Sequence, residues 1–362
     1  MRLCFICSIV KWAVNPRRWV NYFVEKGYDV HVIGHGEVDI PGAKMRHLTT
    51  ISKVNFITGP IQTRRIIRKI KPDIVHALGV TPFGFYGALS GFHPFIVSAW
   101  GSDIAEIPEK SPILKLMVKY VLKKADVVHT GGGEPGKIRV LELGCAEEKI
   151  FVHTNAIDVN RFSPKARSES LRKRLGINDK YSVFLGRRLE PGYNVDVFIK
   201  AIPEVLERID NVMFLLGGTG PLEPKMRKLA RDLGVSEHVI FIGGIPNEKM
   251  HEYLASVDVY VDTFHGSERG GQGMGMTTYE AMACETPQLL ADRVFLRSSD
   301  LVRGLIYNPL DSEDLAKKII FLLKNKDVRN KIGKNSRDVV LKNANFEKIM
   351  KKWENVYQNL VA

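Results

Sequence analysis

Residues 181–221 read YSVFLGRRLEPGYNVDVFIKAIPEVLERIDNVMFLLGGTGP. The apolar run Val183–Gly186 has the length of a buried strand, Val195–Arg208 has the spacing of an amphipathic helix, and Val212–Gly217 is a second apolar run. A strand, a helix and another strand in this order are typical of parallel α/β architecture. This stretch therefore predicts a parallel sheet covered by helices.

The same alternation runs through the whole chain. Further strands are predicted at Leu3–Ser8, Asp29–Gly34, Asp73–Ala77, Phe95–Ala99, Asp126–Thr130, Val239–Ile242 and Val259–Asp262. Further helices are predicted over Asn15–Gly27, Pro221–Leu233 and Lys249–Ala255. The polar, basic stretch 161–180 separates the two series and is the expected linker.

We therefore predict an α/β protein with two doubly wound, Rossmann-like domains that face each other across a ligand-binding cleft. The first domain is expected over residues 1–165 and the second over 166–345. The last helix, 346–362, follows the second sheet and is expected to cross back to the first domain.

Composition excludes several classes of protein. With 362 residues, 44% hydrophobic and 26% charged, the chain is not disordered, collagen-like or a disulfide scaffold. No apolar run reaches the roughly 18–20 residues that span a bilayer. The net charge of +13 predicts an anionic partner.

Most of this excess charge lies in the first 165 residues, which contain 23 basic and 14 acidic residues. Residues 53–71 contain six basic residues and no acid, and Ile61, Ile66, Ile67 and Ile70 are spaced as one helical face. Over residues 112–124, one helical stripe carries the cations Lys115, Lys119 and Lys123. The two segments are either ordinary surface helices or a platform for anionic lipid headgroups. Nucleic acid is not expected, because no nucleic-acid-binding motif accompanies the charge.

The cysteines and the N-terminus favour a cytoplasmic protein. Cys4 and Cys7 lie within the predicted first strand, where residues three apart face opposite sides of the sheet. Cys145 and Cys284 are isolated in sequence, and we expect all four thiols to be reduced. The apolar run after Arg2 is short and lacks a cleavage site, which favours a buried strand over a signal peptide.

Two glycine-rich segments are candidates for phosphate binding. Gly217–Pro221 follows a strand and opens a helix, where backbone N–H groups gather and anions dock. Residues 270–276 (GGQGMGM) lead into the helical segment 277–284 (TTYEAMAC). Small residues admit a ligand close to the backbone, and the positive end of the helix faces it. Glu280 lies about one turn into this helix, where its carboxylate can accept hydrogen bonds from sugar hydroxyls.

In these and other blocks the sequence resembles the family-4 glycosyltransferases, retaining enzymes of the GT-B fold. The blocks are Trp100-Gly101-Ser102-Asp103, Asn155-Ala156-Ile157-Asp158, Arg161-Phe162-Ser163-Pro164, Gly186-Arg187-Arg188-Leu189, Gly217–Pro221 and Glu280-Ala281-Met282-Ala283-Cys284. They stand in the order and at the spacings of the family, and they cover essentially the whole chain.

The resemblance implies that an acceptor hydroxyl attacks the anomeric carbon of a nucleotide-sugar and that a nucleotide diphosphate leaves. It implies catalytic roles for Arg187, Arg188, Gln272, Asp103 and Trp100. It implies donor binding by Gly217, Gly218, Gly220, Gly273, Met274, Gly275, Met276 and Glu280, the last as a ligand of the ribose. Further candidates are Glu268, Arg17 and Asn155.

The sequence departs from the family pattern at three places. Gln272 stands where the first Glu of a Glu-x7-Glu motif belongs, Trp100 stands in place of a His, and the Lys that follows the Gly-Arg turn is missing. Glu268 is a candidate to replace Gln272. These departures leave open a catalytically silent protein that binds nucleotide-sugars.

The leading interpretation is a transferase that acts on a lipid-linked or polysaccharide acceptor at the inner face of the membrane. A cytoplasmic synthase of a disaccharide or glycan store is the alternative among enzymes. We expect no cofactor beyond the nucleotide-sugar and no metal, because no Asp-x-Asp pair stands at a strand end and Asp258 and Asp262 have the pattern of strand ends.

Overall fold

The computed structural model describes residues 1–8, 14–36, 39–49, 55–265, 273–293, 296 and 303–362. These residues form two compact units. The first contains the described residues of Met1–Thr154 and Glu347–Ala362, together with Gly273. The second contains the described residues of 155–265 and Met274–Phe346.

The first unit is built on a parallel sheet whose strands follow the predicted apolar runs. In the described residues these strands are β1 (Arg2–Ser8), β2 (Asp29–His35), β3 (Lys44–His47), β4 (Ile74–Leu78), β5 (Phe95–Ala99), β6 (Val127–Thr130) and β7 (Ile150–Val152). Their order in the sheet is β3-β2-β1-β4-β5-β6-β7. Every residue of β4 and β5 is buried, as expected for central strands covered on both faces.

The helices of the first unit connect these strands. They are α1 (Val14–Glu25), α2 (Asn55–Ile70), α3 (Phe85–Ser90), α4 (Ser102–Ala105), α5 (Ile107–Lys110), α6 (Pro112–Lys124) and α7 (Glu134–Glu142), with a π-helical turn at Val80–Gly84 and a 3₁₀ turn at Glu147–Lys149. Ser111 caps α6, because its side chain accepts a hydrogen bond from the Leu114 amide, and Pro112 occupies the first helical position.

The second unit repeats this plan with a smaller parallel sheet. Its described strands are β8 (Tyr181–Gly186), β9 (Val212–Gly217), β10 (Val239–Gly243), β11 (Val259–Asp262), β12 (Gln288–Ala291) and β13 (Leu305–Tyr307), in the order β10-β9-β8-β11-β12-β13. Its described helices are α8 (Glu169–Leu175), α9 (Val195–Lys200), α10 (Ile202–Leu206), α11 (Glu223–Asp232), α12 (Met250–Ser256), α13 (Met276–Ala283), α14 (Ser312–Lys324) and α15 (Lys326–Asn343), with 3₁₀ turns at Pro164–Ala166, Ser236–His238 and Asn247–Lys249.

The last helix, α16 (Phe346–Val361), packs on the first unit through two buried aromatic side chains. The indole of Trp353 donates a hydrogen bond to Nε2 of His153 at 2.8 Å, and the Tyr357 hydroxyl lies 2.6 Å from Nδ1 of His76.

Two details of the sequence interpretation were wrong. The predicted helix 195–208 is two helices, α9 and α10, which meet at Ala201, and Pro203 lies within the first turn of the second. The expected linker 161–180 contains α8 and is part of the second unit. Its Arg172 is only 4% exposed because its guanidinium donates to the carbonyls of Ser256 and Ile177 at 2.7 and 2.6 Å.

The boundary between the units lies before Asn155, rather than at the expected residue 165. The reason is that Ile157 and Phe162 are fully buried in a core cluster of the second unit. Ile157 also forms a parallel bridge with Asn345 at the end of that unit.

Candidate functional site

Three charged side chains lie at the carboxyl ends of neighbouring strands in the second unit. Arg187 directly follows β8, Asp262 is the last residue of β11, and Arg293 lies two residues after β12. These three strands are adjacent and parallel. Since ligands of open α/β sheets bind at the carboxyl ends of the strands, this edge is the candidate site.

Asp262 holds both arginines in place. Its side chain is fully buried and accepts hydrogen bonds from Nε and Nη2 of Arg187 at 3.2 and 2.6 Å. The bond from Nη2 of Arg187 goes to Oδ2 of Asp262. Nη2 of Arg293 lies 3.2 Å from this same oxygen, and the Thr278 hydroxyl donates to it at 2.9 Å. The Phe264 amide donates to the other oxygen at 3.1 Å. We call Arg187, Asp262 and Arg293 the Arg–Asp–Arg cluster.

The cluster is charged. Burial opposes ionisation of Asp262, but the positive charges of Arg187 and Arg293 outweigh it and hold the pKa of Asp262 below its ordinary value. Burial also opposes the charged form of Arg187. The neighbouring Asp262 carboxylate outweighs burial and raises the pKa of Arg187. For Arg293, burial prevails over Asp262, and its pKa is lowered.

The two consecutive arginines of the Gly-Arg turn have different environments. The Arg187 side chain is 13% exposed and is fixed by Asp262. The Arg188 side chain is 66% exposed, lies 3.4 Å from Glu190 and donates to the Tyr193 hydroxyl at 2.8 Å. Of the two candidates for phosphate binding, the structure therefore preorganises Arg187.

The glycine turn after β9 is shaped by close backbone contacts with the turn after β8. A Cβ atom on Gly218, which has φ of +133°, would lie 1.9 Å from the Arg187 carbonyl oxygen. A Cβ atom on Gly220 would lie 2.3 Å from the Leu189 carbonyl oxygen. The Gly218 amide donates to the Gly243 carbonyl at 2.7 Å, so this N–H group is already used within the protein. The glycines at 217, 218 and 220 thus position the Arg187 turn, in addition to any contact with a ligand.

The start of α13 lies beside Arg187. A Cβ atom on Gly275 would be 2.7 Å from Nη2 of Arg187, so the glycine leaves room for the guanidinium in the position that the structure shows. The first amides of a helix lack acceptors within it, which makes the Met276 end of α13 a favourable place for an anion. The Asn155 side chain donates to the Met274 carbonyl, two residues before α13, at 3.2 Å. Glu280, further along α13, is 4% exposed.

In the first unit, Asp103 positions the loop that carries Trp100. One carboxylate oxygen of Asp103 accepts from the amides of Trp100 and Gly101 at 2.9 and 3.0 Å. The other accepts from the Val80 amide at 3.0 Å. These three bonds favour a structural role for Asp103 over direct contact with a substrate. Arg17 lies in α1 and is partly buried.

Trp100 follows β5 and is one edge of an aromatic cluster in the first unit. The cluster, here called the His–Trp cluster, consists of Trp19, His76, Trp100, His129, His153, Trp353 and Tyr357. The imidazoles of His129 and His153 stack with 3.9 Å between centroids. The Ser98 hydroxyl lies 2.7 Å from Nε2 of His76 and 2.9 Å from Nδ1 of His129. His76 and His129 are both buried in the first unit.

Two predicted site residues, Gln272 and Glu268, lie outside the described residues, as does Lys53 of the basic segment. Gly273 is described and belongs to the first unit. Sequence reasoning missed Asp262 and Arg293, and treated Asp262 only as a strand end. The available signal was an ionisable residue at, or within two residues after, the end of an apolar strand, since that position lies at the edge where ligands bind.

The cysteines and Asp258 are buried or hydrogen-bonded within the protein. The four cysteines are free and buried, and burial raises the pKa of Cys7 to about 12 and that of Cys145 to about 11. Asp258 accepts hydrogen bonds from the amide and hydroxyl of Ser182, both at 2.9 Å.

Within the described ranges, no group of three or more His, Cys, Asp or Glu side chains is arranged to hold a metal ion. In the same part of the chain, no helix is long and apolar enough to cross a membrane.

Comparison with known proteins identifies both units. A family model described as "Glycosyl transferases group 1" matches residues 167–339, and one described as "Glycosyl transferase 4-like" matches residues 3–130. The GDP-mannose-dependent alpha-(1-6)-phosphatidylinositol monomannoside mannosyltransferase of Mycolicibacterium smegmatis is 34% identical over 249 residues. That match covers 67% of this chain but only 64% of the relative, so the chain spans less than two thirds of that enzyme.

Solved structures of low sequence identity share the fold. Anabaena HepE in complex with UDP and glucose superimposes with a TM-score of 0.80 at 17% identity, over 99% of this chain and 100% of that one. A glycosyltransferase from Rickettsia africae has a TM-score of 0.82, also at 17% identity, over 99% of each chain. With two parallel-sheet units of this fold and family matches to both, the chain belongs to the family-4 glycosyltransferases of the GT-B fold.

Proposed function

We propose that the protein is a retaining glycosyltransferase that moves a hexose from a nucleotide-sugar to a hydroxyl of a lipid-linked or polysaccharide acceptor. The observation that carries this proposal is the guanidinium of Arg187, which is held by Asp262 at the carboxyl end of β8 and beside the start of α13. A fixed cation beside a helix N-terminus is suited to a diphosphate.

In the proposed reaction the second unit binds the donor. Negative charge grows on the departing diphosphate, and Arg187 together with the first amides of α13 stabilises it. Glu280 holds the ribose, and Asn155 fixes the loop at Met274. The reaction proceeds through an oxocarbenium-like transition state, and the product keeps the anomeric configuration of the donor.

Transfer is proposed to need no divalent metal. Asp262 is occupied by two arginines, and Asp258 is bonded to Ser182. The negative charge of the leaving group is therefore stabilised by guanidinium and amide groups rather than by a metal ion. Addition of a chelator is expected to leave the rate unchanged.

The acceptor class is supported by the relatives and by the charge of the first unit. The Mycolicibacterium relative is named as acting on a phosphatidylinositol monomannoside, which is a lipid-linked sugar. The alternative, an enzyme that makes a disaccharide or glycan store, requires no lipid binding. We favour the lipid-linked acceptor because the exposed faces of α2 and α6 combine cations with apolar side chains.

The donor site predicts different effects for the two adjacent arginines. Arg187→Ala should weaken the binding of a nucleoside diphosphate by about 1.5–3 kcal/mol, since a charge-assisted hydrogen bond is lost. Arg188→Ala, the matched control, should have a smaller effect because Arg188 is exposed and lies near Glu190. Calorimetric titration with UDP, GDP and their hexose derivatives measures both. Unchanged affinity of Arg187→Ala, or a larger loss for Arg188→Ala, would reverse the assignment.

We also propose that the first unit binds an anionic membrane surface, at the cytoplasmic face, through α2 and α6. Both helices pack against α3. On α2, Phe56 and Ile57 are 51% and 65% exposed, and on α6, Ile113 and Leu116 are 72% and 69% exposed. Ile61, expected on one helical face with Ile66, Ile67 and Ile70, is 49% exposed and extends this apolar surface, whereas the other three pack against the core.

Cations surround these apolar side chains. Lys115, Lys119 and Lys123 are exposed along α6. At the end of α2, a groove of about 370 Å³ is lined by Arg64, Arg68, Lys71 and five other residues. Apolar side chains that enter the interface and cations that meet headgroups are typical of peripheral membrane binding.

Vesicle binding tests this surface. The triple variant Lys115→Gln/Lys119→Gln/Lys123→Gln should bind phosphatidylglycerol-containing vesicles about 100-fold more weakly, at about 1 kcal/mol for each lysine. A matched triple in the second unit, Lys225→Gln/Arg227→Gln/Lys228→Gln, should bind like the wild type. Co-sedimentation measures both. Equal binding of the wild type to neutral and anionic vesicles would remove the membrane from the proposal.

A further inference from the structure

The groove at the end of α2 brings three cations to one concave surface. Arg64, Arg68 and Lys71 line one side of it, and residues 90–92, at the end of α3, line the other. All three cationic side chains are exposed. The volume of about 370 Å³ lies within the range of about 300–1,000 Å³ that is typical of small-molecule sites. We call this surface the α2 groove.

No acidic side chain offsets the charge of the α2 groove. Residues 40–72 and 74–102 contain no Asp or Glu. The carboxylate of Asp73, which lies between these ranges, accepts a hydrogen bond from the Arg2 amide at 2.6 Å. Among the described residues, none of the three groove cations forms an ion pair with an Asp or Glu. Three like charges around one concavity repel each other, and a bound anion would relieve this repulsion.

The carboxyl end of α2 does not account for these cations. Cations often lie near a helix C-terminus because its last carbonyl groups lack partners. Here Nη1 of Arg2 donates to the Ile70 carbonyl at 2.7 Å, and the Lys71 amide donates to the Ile67 carbonyl at 2.9 Å. Arg2 therefore already supplies a cation to the end of α2, on carbonyl groups that the groove cations do not need to satisfy.

Lys71 occupies a backbone position that favours glycine. It directly follows α2 with a φ of +51°, in the left-handed region. Helices commonly end on a glycine in this conformation, since a side chain there is strained. The lysine thus carries a backbone cost that a glycine would avoid, and in return its ammonium group reaches the α2 groove.

The α2 groove lies at one end of an exposed stripe of α2 that is apolar at its other end. Ile57, Ile61, Arg64 and Arg68 follow the spacing i, i+4, i+7 and i+11, which places them on one face of the helix. Ile57 and Ile61 are 65% and 49% exposed. Cations and exposed apolar side chains are therefore separated by about two helical turns. A phospholipid has the matching arrangement, because its phosphate is linked to apolar chains.

We propose that the α2 groove binds the phosphate group of one anionic phospholipid, with Arg64, Arg68 and Lys71 as its ligands. Guanidinium and ammonium groups form charge-assisted hydrogen bonds to phosphate oxygens, and Ile57 and Ile61 contact the apolar part of the lipid. This inference rests on the membrane surface under the proposed function and deepens it. The summed charge of α2 and α6 attracts any anionic surface, whereas the α2 groove is a defined site for a single headgroup.

Two double variants of the full chain distinguish a site from a charged surface. Arg64→Gln/Arg68→Gln removes two charges that line the α2 groove, and Arg65→Gln/Lys69→Gln removes two exposed charges of the same helix that do not. The probe is dihexanoyl phosphatidylglycerol, kept monomeric so that no membrane surface is present, and binding is measured by calorimetric titration. The groove variant should bind about 10- to 100-fold more weakly than the wild type. The control should stay within about 2-fold of it.

Lys71→Gly shows whether a loss of binding comes from the missing charge or from a damaged fold. The variant should also bind the monomeric lipid more weakly than the wild type. Its unfolding temperature should be equal to that of the wild type or higher, because glycine adopts the left-handed conformation without strain. Wild-type affinity of Lys71→Gly would remove this residue from the site.

The outcomes separate this inference from the proposed membrane surface. Equal losses for the two double variants, or wild-type protein that binds anionic vesicles but no monomeric lipid, would overturn the site and leave the charged surface intact. If inorganic phosphate binds as tightly as the lipid, the ligand is free phosphate and the lipid assignment is wrong. If the monomeric lipid binds through the α2 groove but anionic vesicles are not bound, the site stands and the membrane surface fails.

Discussion

Replacing Asp262 by Asn should lower the free energy of unfolding of the second unit by about 3–5 kcal/mol, the range found when one partner of a buried ion pair is removed. The substitution keeps the size of the side chain and removes the carboxylate that both Arg187 and Arg293 contact. The two buried guanidiniums would then lose the negative charge that they share.

The measurement can separate the two units. Residues 155–346 contain no tryptophan, so tryptophan fluorescence reports on the first unit. In a urea titration, far-UV circular dichroism should show a transition of Asp262→Asn at lower urea, whereas the fluorescence transition should stay near that of the wild type. Asp196→Asn in α9 is the control, because that carboxylate is 38% exposed and its ion-pair partner, Lys200, is 50% exposed. A loss for Asp262→Asn no larger than for Asp196→Asn would contradict the account of the cluster.

The first unit should be destabilised strongly by mild acid because of three buried histidines. Burial lowers the pKa of His76 to about 3 and that of His153 to about 4, and lowers that of His129 well below its ordinary value. In the unfolded chain the same imidazoles titrate near 6.5, so unfolding below that pH takes up protons. The stabilisation is therefore complete above about pH 6.5 and is lost as the pH falls toward 4.

The expected size of the acid destabilisation follows from the number of protons that the three histidines take up on unfolding. Each histidine contributes up to about 1.4 kcal/mol per pH unit, which gives about 4 kcal/mol per unit for the three. The stacked pair of His129 and His153 and the nearby Lys352 make charging within the fold still less favourable. Urea titrations followed by tryptophan fluorescence between pH 7 and 4.5 measure the slope.

A variant distinguishes this mechanism from general acid denaturation. His129→Asn should reduce the slope by about 1.4 kcal/mol per pH unit, whatever its stability at pH 7. His47→Asn, at a side chain that is 48% exposed, should leave the slope unchanged. Stability that does not change between pH 7 and 5 would contradict the neutral state of the His–Trp cluster.

The fold was predictable because its strands are apolar runs with helices between them. β9 and the glycine turn after it are visible in the sequence, since a buried parallel strand requires continuous apolar residues and a tight turn requires glycine. The segment 161–180 was not predictable, because its polar side chains suggest solvent. Arg172 is buried there only because carbonyl groups from α12 and from its own turn converge on it, and that convergence has no local pattern.

The candidate site was predictable only where its residues are close in sequence. Arg187 follows a strand and stands in a short motif, and Gly275 and Glu280 lie in one helix-opening segment. Asp262 is 75 residues from Arg187, and Arg293 is 31 residues from Asp262, so the strand order β8-β11-β12 is what brings them together. Asp103 shows the opposite case, a motif residue whose carboxylate is used by three backbone amides.

Transfer itself is the most direct test of the central claim. The full chain is incubated with a nucleotide-sugar that it binds and with lipid-linked glycan acceptors, in the presence and absence of a chelator, and the product is analysed by NMR. The account predicts release of the nucleoside diphosphate and a new glycosidic bond with the anomeric configuration of the donor, with or without chelator. A bound donor that yields no product, or a product with inverted configuration, would contradict it.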